Sequence, residues 1–264
     1  MKIRKKTAWL ALPLCLLSSA GRAEKNCPSE QELLQVLTAE VQPAESLLLA
    51  APETDCQTPT RDRGPAVGTV QTVQGTALII SADGCNASRL RKSLPLPVFT
   101  GDTLVTAAKS RVTLLMRDQS RLTLAGQSRM IIDKAVYDPA ASRRDTRLRL
   151  ILGRLRAVVA KMTEKNLYRI QTPAATAGVR GTDFALAVSP ELTVLLTGGG
   201  SSAVELTDRN GGTTAVGPLS AACPVCPPAH VGKKAQAVLH EIAPELDAAA
   251  AADETCWWMR WRCK

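Results

Sequence analysis

Two arrangements of residues in this chain could do chemistry. Cys223-Pro-Val-Cys226 has the spacing of a dithiol couple, which becomes redox-active when a helix N-terminus lowers the pKa of its first thiol. Pro227 and Pro228 follow at once, and no thioredoxin-like alternation of strand and helix surrounds the pair. It therefore reads first as structural cysteines whose disulfides fix a linker. A redox couple and a zinc site completed by Cys256 and Cys263 are the alternatives, zinc being disfavoured where cysteines oxidise. The second arrangement is TPAATAGVRGTDFA, residues 172–185. Thr172 and Pro173 end a strand, because proline cannot donate to a sheet ladder. Gly178 and Gly181 permit positive φ or close backbone approach on either side of Arg180. Thr182 and Phe184 then open an alternating run with Leu186 and Val188. An arginine held between glycines at a strand corner is either a fixed clamp or a binding group.

Other constellations give little support to catalysis. The only histidines are His230 and His240, both near the C-terminal end, and no zincin, phosphate-loop or nucleophile-elbow pattern occurs. No pair of carboxylates stands out, and nothing in the motifs asks for a cofactor or a metal. The chain reads as a binding protein and not an enzyme. Arg147, Arg149, Arg154 and Arg156 alternate with leucines in TRLRLILGRLR and read as one solvated outer face. Trp257, Trp258 and Trp261 interleave with Arg260, Arg262 and Lys264 in the tail. Such groups suit an anionic polysaccharide, lipid head groups or an acidic protein. Cys256 and Cys263 bracket the tryptophans, which favours their packing onto the body.

The compartment follows from the N-terminus. MKIRKKTAWLALPLCLLSSAGRA joins a basic start to a short apolar core interrupted by Pro13, with Gly21 and Ala23 at a cleavage site. The apolar run is about half the ~20 residues of a membrane span, so residues 1–23 read as a signal peptide and the protein as periplasmic or secreted. Those 23 residues carry five basic groups and no acidic one, so cleavage lowers the formal charge from +9 to about +4. That is too mild a charge to argue for nucleic acid. Seven cysteines remain: Cys27, Cys56, Cys85, Cys223, Cys226, Cys256 and Cys263. Export makes them disulfide candidates, with one left over.

The elements that would position these groups are mostly strands. Residues 24–64 form a leader, with a capping-box helix from Ser29 and Glu32 and then a polar linker. Residues 65–207 are short alternating runs divided by turns, including a hairpin in which Val112, Leu114 and Met116 return through Leu122 and Leu124. VGTVQTVQG and ALIIS read as a pair of strands divided at Gly75. A Gly101-Asp102 turn precedes a strand over 103–106. Residues 208–264 form a cysteine-containing extension with a helix whose apolar face is Ala235, Val238, Leu239 and Ile242. The spacing predicts an all-β fold, rolled or solenoid-like, with short flanking helices.

The strand run and its corner resemble the FecR family of bacterial periplasmic domains over about residues 67–205. Gly75 in VQTVQG, LPVFTGDTL, SRVTLLMRDQSRLTL, LRLILGRL and above all TPAATAGVRGTDFAL carry the resemblance. It implies a rolled or solenoid-like β fold. Full-length sensors of this family have a cytoplasmic sigma-factor-binding segment, one transmembrane helix, this domain and a part that meets an outer-membrane transporter. This chain shows no counterpart of the first two and none of the last after residue 206. The resemblance thus implies a domain reused as a periplasmic binding module or scaffold for an envelope protein or anionic envelope component. The alternative is a regulator of a sigma-factor and transporter system that works through a separate membrane partner. Gly178, Arg180, Gly181 and Thr182 match the family's corner, and Arg180 is expected to clamp strand-end carbonyls or a carboxylate such as Asp102 or Asp183.

Overall fold

The computed structural model describes residues 27–39, 63–84, 86–90, 95–161, 166–200 and 202–248. Within them lie seventeen strands and two α-helices, so the fold is all-β with short flanking helices. The strands are continuous through hydrogen bonds but bend into two facing layers. The first layer runs β4 (Leu96–Val98), β1 (Gly68–Gln74), β6 (Arg111–Met116), β7 (Arg121–Leu124), the second half of β9, β12 (Thr182–Val188), β13 (Thr193–Thr197), β16 (Ser220–Ala222) and β17 (Ala229–His230). The second runs β3 (Ala87–Leu90), β2 (Ala77–Ile80), β5 (Thr103–Thr106), β8 (Arg129–Asp138), the first half of β9, β10 (Leu167–Gln171), β11 (Ala175–Gly178), β14 (Val204–Asp208) and β15 (Thr213–Val216). Every pairing is antiparallel except β9 with β10.

Strand β9 (Arg143–Val159) belongs to both layers. Its first half pairs with β8 and β10, and its second half pairs with β7 and β12. The change falls at a bulge: Met130 pairs with Leu150 and Arg129 with Leu152, leaving Ile151 as the extra residue. Gly153 follows at φ 94°, and a Cβ there would lie 2.2 Å from Ser128 Oγ and 2.5 Å from its Cα. Ser128 Oγ accepts from Arg154 N at 2.9 Å and donates to Arg154 O at 3.2 Å, so a side chain replaces the ladder bonds lost at the bulge. The extra residue reverses the parity of the strand. Leu148 and Leu150 face the core before the bulge, and Leu155, Ala157 and Val159 face it afterwards.

The core between the layers draws Val112, Leu114, Leu122, Leu124, Phe184 and Leu186 from the first and Ile79, Leu104, Met130, Ile132, Ile170 and Leu206 from the second. The hairpin of β6 and β7 forms in the expected register, with Val112 opposite Leu124. Strands β1 and β2 do not pair with each other as expected. The turn at Gly75 (φ 74°), pressed on Ser110, carries the chain from one layer to the other. The C-terminal extension is built into the body, since β15 extends the second layer and β16 and β17 extend the first.

A second core covers the outer face of the first layer. Helix α1 (Glu30–Thr38) contributes Leu33 and Leu37, and helix α2 (Lys234–Ile242) contributes Ala235, Val238, Leu239 and Ile242. They pack on Val158, Ala185, Ala187, Val194 and Leu196. Ser29 caps α1 in a capping box with Glu32, whose carboxyl is held below its ordinary value by the Ser29 backbone N–H and hydroxyl.

Both helices end on arginines of β9. Arg154 Nη1 donates to Leu37 O (3.3 Å) and Thr38 O (2.9 Å) at the end of α1. Arg156, with 0% exposure, is the largest fully buried side chain described. Its Nη1 donates to Leu239 O (3.0 Å), Ala243 O (2.7 Å) and Asp247 Oδ1 (2.6 Å) at the end of α2. Its Nε and Nη2 donate to the two Asp183 carboxylate oxygens at 3.0 and 2.9 Å. Helix ends carry the negative end of the helix dipole, which a guanidinium complements. Leu239 O and Ala243 O also accept from Ala243 N (3.0 Å) and Leu246 N (3.2 Å), so Arg156 adds a second bond to each. Burial pushes the Asp183 carboxyl up, and Arg156 opposes it. Burial also works against the charge on Asp247, but His240 and Arg156 outweigh it and hold that carboxyl low.

Two outcomes follow. Arg156→Leu removes the buried guanidinium that pairs with the Asp183 carboxylate, and should lower unfolding free energy by about 3–5 kcal/mol in denaturant titration. Gly153→Ala forces a Cβ into Ser128 at positive φ, and should cost about 2–3 kcal/mol in the same measurement.

Candidate functional site

The corner at residues 172–184 is a structural device, and its arginine is not the clamp. Thr172 N and Oγ1 both donate to Ala175 O (2.8 and 2.9 Å), closing a tight turn around Pro173 between β10 and β11. Thr172 Oγ1 also meets Thr193 Oγ1 at 2.7 Å, and Pro173 O accepts from Arg209 Nε. Gly181 has φ 116°, and a Cβ on it would lie 2.5 Å from Lys161 Cα. Thr182 Oγ1 donates to Ser202 O at 2.9 Å, and Phe184 is buried in the inter-layer core.

Arg180 is 56% exposed, and its ion-pair partner among the described residues is the exposed Glu205, at 3.4 Å. The carboxylates expected for it have other partners. Asp183 is held by Arg156, and the fully buried Asp102 pairs with Arg63. Arg63 also stacks 4.2 Å from the Phe99 ring centroid. Asp102 Oδ2 accepts from Phe99 N at 2.9 Å, closing the turn in which Gly101 takes φ 90°. Burial pushes the Asp102 carboxyl up, against the Phe99 N–H and Arg63. The clamp chemistry is present, but Arg63 and Arg156 supply it. The sequence signal for Arg156 was its place two residues after Arg154, beyond the bulge that reverses parity.

Gly178 differs from its neighbour in the motif. Its φ is not positive, and a Cβ there would meet only Glu205, at 3.7 Å, which is ordinary contact. Neither a turn nor a close approach requires glycine at this position.

The four arginines expected on one solvated face divide at the bulge. Arg154 and Arg156 point beneath the helices, and Arg156 is correctly a buried structural group with no surface to offer. Arg147 and Arg149 lie on the outer face of the second layer, where neither helix packs. Arg149 forms a forked pair with Asp133, through Nε at 3.1 Å and Nη2 at 2.5 Å, which raises its pKa. Arg147 Nε lies 3.6 Å from Asp145 Oδ1, and Lys134 shares that carboxylate through Oδ2. Arg169 stands directly beside Arg147 in the parallel β9–β10 register, a cation that the sequence pattern did not single out.

The cysteine motif is not closed on itself. Cys226 forms a disulfide with Cys27, with Cα atoms 5.6 Å apart, tying the start of α1 to the extension. A bridge across 199 residues lowers the entropy of the unfolded chain by an amount worth roughly 5 kcal/mol in the loop-closure picture. Cys223 is buried in the core beneath the helices. Among the described residues no group of three or more His, Cys, Asp or Glu could hold a metal ion. Residues 1–23, Cys56, Cys85, Cys256, Cys263, Trp257, Trp258, Arg260 and Trp261 lie outside the described residues.

These contacts reverse the expected order at the corner. Arg180→Ala should change stability by less than about 0.5 kcal/mol, whereas Gly181→Ala should lower the melting temperature clearly. A thermal melt of the two variants beside wild type checks the order.

Comparison with known proteins agrees with the geometry of the body. The family described as FecR protein matches residues 102–204, from Asp102 at the head of β5 to the first residue of β14. Two crystal structures of a proposed anti-sigma factor from Parabacteroides distasonis ATCC 8503 are similar at 14% identity and a TM-score of 0.37. The alignments cover 50% of this chain and 56% and 55% of the other, so this chain spans little more than half of that protein. At that score the likeness carries no argument. No curated protein matches the chain. The matched span takes in the shared strand β9, the bulge before Gly153 and the whole corner, so the likeness to the FecR family rests on residues 102–204.

Proposed function

We propose that this chain is an exported, non-catalytic regulatory protein that acts in sigma-factor signalling by binding a separate membrane-borne partner in the bacterial envelope. The family match at residues 102–204 carries the reading, because FecR-type domains belong to signalling systems. Among the described residues no helix is long and apolar enough to cross a membrane. The body is also built to hold its shape, through a two-layer core, arginines at both helix ends and a long-range disulfide. A rigid β body suits a surface that another protein reads. A scaffold with no part in transcription is the second reading, favoured by the way the helices and the disulfide tie the flanks into the domain.

Deleting the gene and sequencing total RNA tests the choice. The signalling reading expects a set of transcripts with one shared promoter motif to change at least about twofold, and to recover when the chain is supplied in trans. Unchanged transcription under conditions where the protein is made leaves the scaffold reading. Fractionation should find the protein with the periplasm, and recovery only from the cytoplasm would overturn both.

A further inference from the structure

We propose that the outer face of the second layer, across β8, β9 and β10, is the docking surface for an acidic segment of a partner protein. The inference deepens the binding role given above and rests on it. The two layers are treated differently. The outer face of the first carries both helices and a second core, whereas neither helix packs on the outer face of the second.

That outer face has a defined pattern. The register places Lys134, Arg147 and Arg169 side by side on three adjacent strands. Strand spacing sets such neighbours about 4.8 Å apart. Like charges in directly opposed positions destabilise a sheet, so the row works against the fold. Lys134 and Arg147 share one carboxylate, Asp145, while Arg169 makes no ion pair or side-chain hydrogen bond among the described residues. Three cations therefore answer to a single anion. The next row holds Val136, Asp145 and Leu167. Val136 (36% exposed) and Leu167 (38%) are two of the three large hydrophobic side chains described as exposed. Beyond Arg169 the basic row continues to Gly178, which has no side chain and whose conformation does not require glycine. The result is an open slot beside an uncompensated guanidinium, closed on its far side by Glu205.

Guanidinium groups bind carboxylates through two parallel hydrogen bonds, and the neighbouring valine and leucine need apolar cover. A protein segment that alternates acidic and aliphatic groups supplies both. A lipid surface or a polyanionic glycan responds mainly to net potential, which Asp133 and Asp145 reduce on this face. The pattern therefore favours an acidic protein segment over either.

The test uses the full mature chain and three probes: fluorescent poly-L-glutamate, heparin, and vesicles containing phosphatidylglycerol. Wild type should bind poly-L-glutamate in a salt-sensitive manner and more tightly than the other two. Arg147→Glu with Arg169→Glu should weaken that binding by about tenfold or more with an unchanged melting temperature. Gly178→Leu, which fills the slot, should weaken it several-fold, and Arg121→Glu on the other layer should leave it unchanged. Absence of poly-L-glutamate binding overturns the proposal, as does equal binding by the double variant or tighter binding of heparin or vesicles. Complementation of the deletion strain separates the levels: if the double variant restores transcription as wild type does, this face is wrong while the signalling role stands. If wild type itself alters no transcription, the role has failed and the binding result still judges the face.

Discussion

The structure depends on one strand that serves two layers. β9 runs for seventeen residues, and the bulge before Gly153 turns its side chains over while Ser128 Oγ takes up the backbone groups of Arg154. A sandwich whose layers meet only through loops can let them slide, because face-to-face contact between aliphatic side chains is weakly directional. Here the covalent chain fixes their relation. The arginines then use that geometry twice. Arg154 and Arg156, reversed by the bulge onto the covered face, take the carbonyl ends of α1 and α2. Burying a guanidinium is costly, and the cost is met only with good geometry and satisfied partners. Arg156 has both in Asp183, two helix carbonyls and Asp247. The helices are thus anchored by directional bonds to the strand that joins the layers, in addition to the apolar contact beneath them.

This arrangement explains the asymmetry of the molecule. Sequence segments on both sides of the matched domain converge on the first layer: α1 from before it and α2 from after it, with Cys27 and Cys226 joining the two flanks. Nothing equivalent covers the second layer among the described residues. Its outer face keeps the side chains that a solvated strand tolerates, together with a cationic row that folding alone would not favour. Stability is concentrated on one side and unsatisfied charge on the other, an arrangement consistent with a rigid back and a reading face.

Much of the fold was legible in the sequence because short-range signals carry it. Alternation marked the hairpin at Val112 to Leu124 and the strand after Asp102, and Ser29 with Glu32 marked the start of α1. Pairing between distant strands was less accessible. VGTVQTVQG and ALIIS have the pattern of a hairpin, yet Gly75 sends them to different layers, since the partners that select them, β6 and β5, lie tens of residues away. The site was harder still. Arg147, Arg149, Arg154 and Arg156 read as one face because a strand was assumed to keep its parity. The sequence does hold the correction: the arginines sit at odd positions before Gly153 and at even positions after it.

In the corner motif a charge between glycines does not mark a clamp. Its two glycines answer to different constraints. Gly181 is demanded by positive φ and by Lys161, so the corner needs it whatever stands beside it. Gly178 is demanded by neither, and Arg180 is exposed. An arginine is costly to bury, so its presence at a tight turn is more simply explained by access to water than by a clamp. The clamping arginines stand at concentrations of acceptors, the carbonyl ends of two helices and the buried Asp102 carboxylate, and of the three only Arg156 is itself fully buried. The position of helix-end carbonyls and buried carboxylates, more than the company of glycines, determines where this fold uses its arginines as clamps.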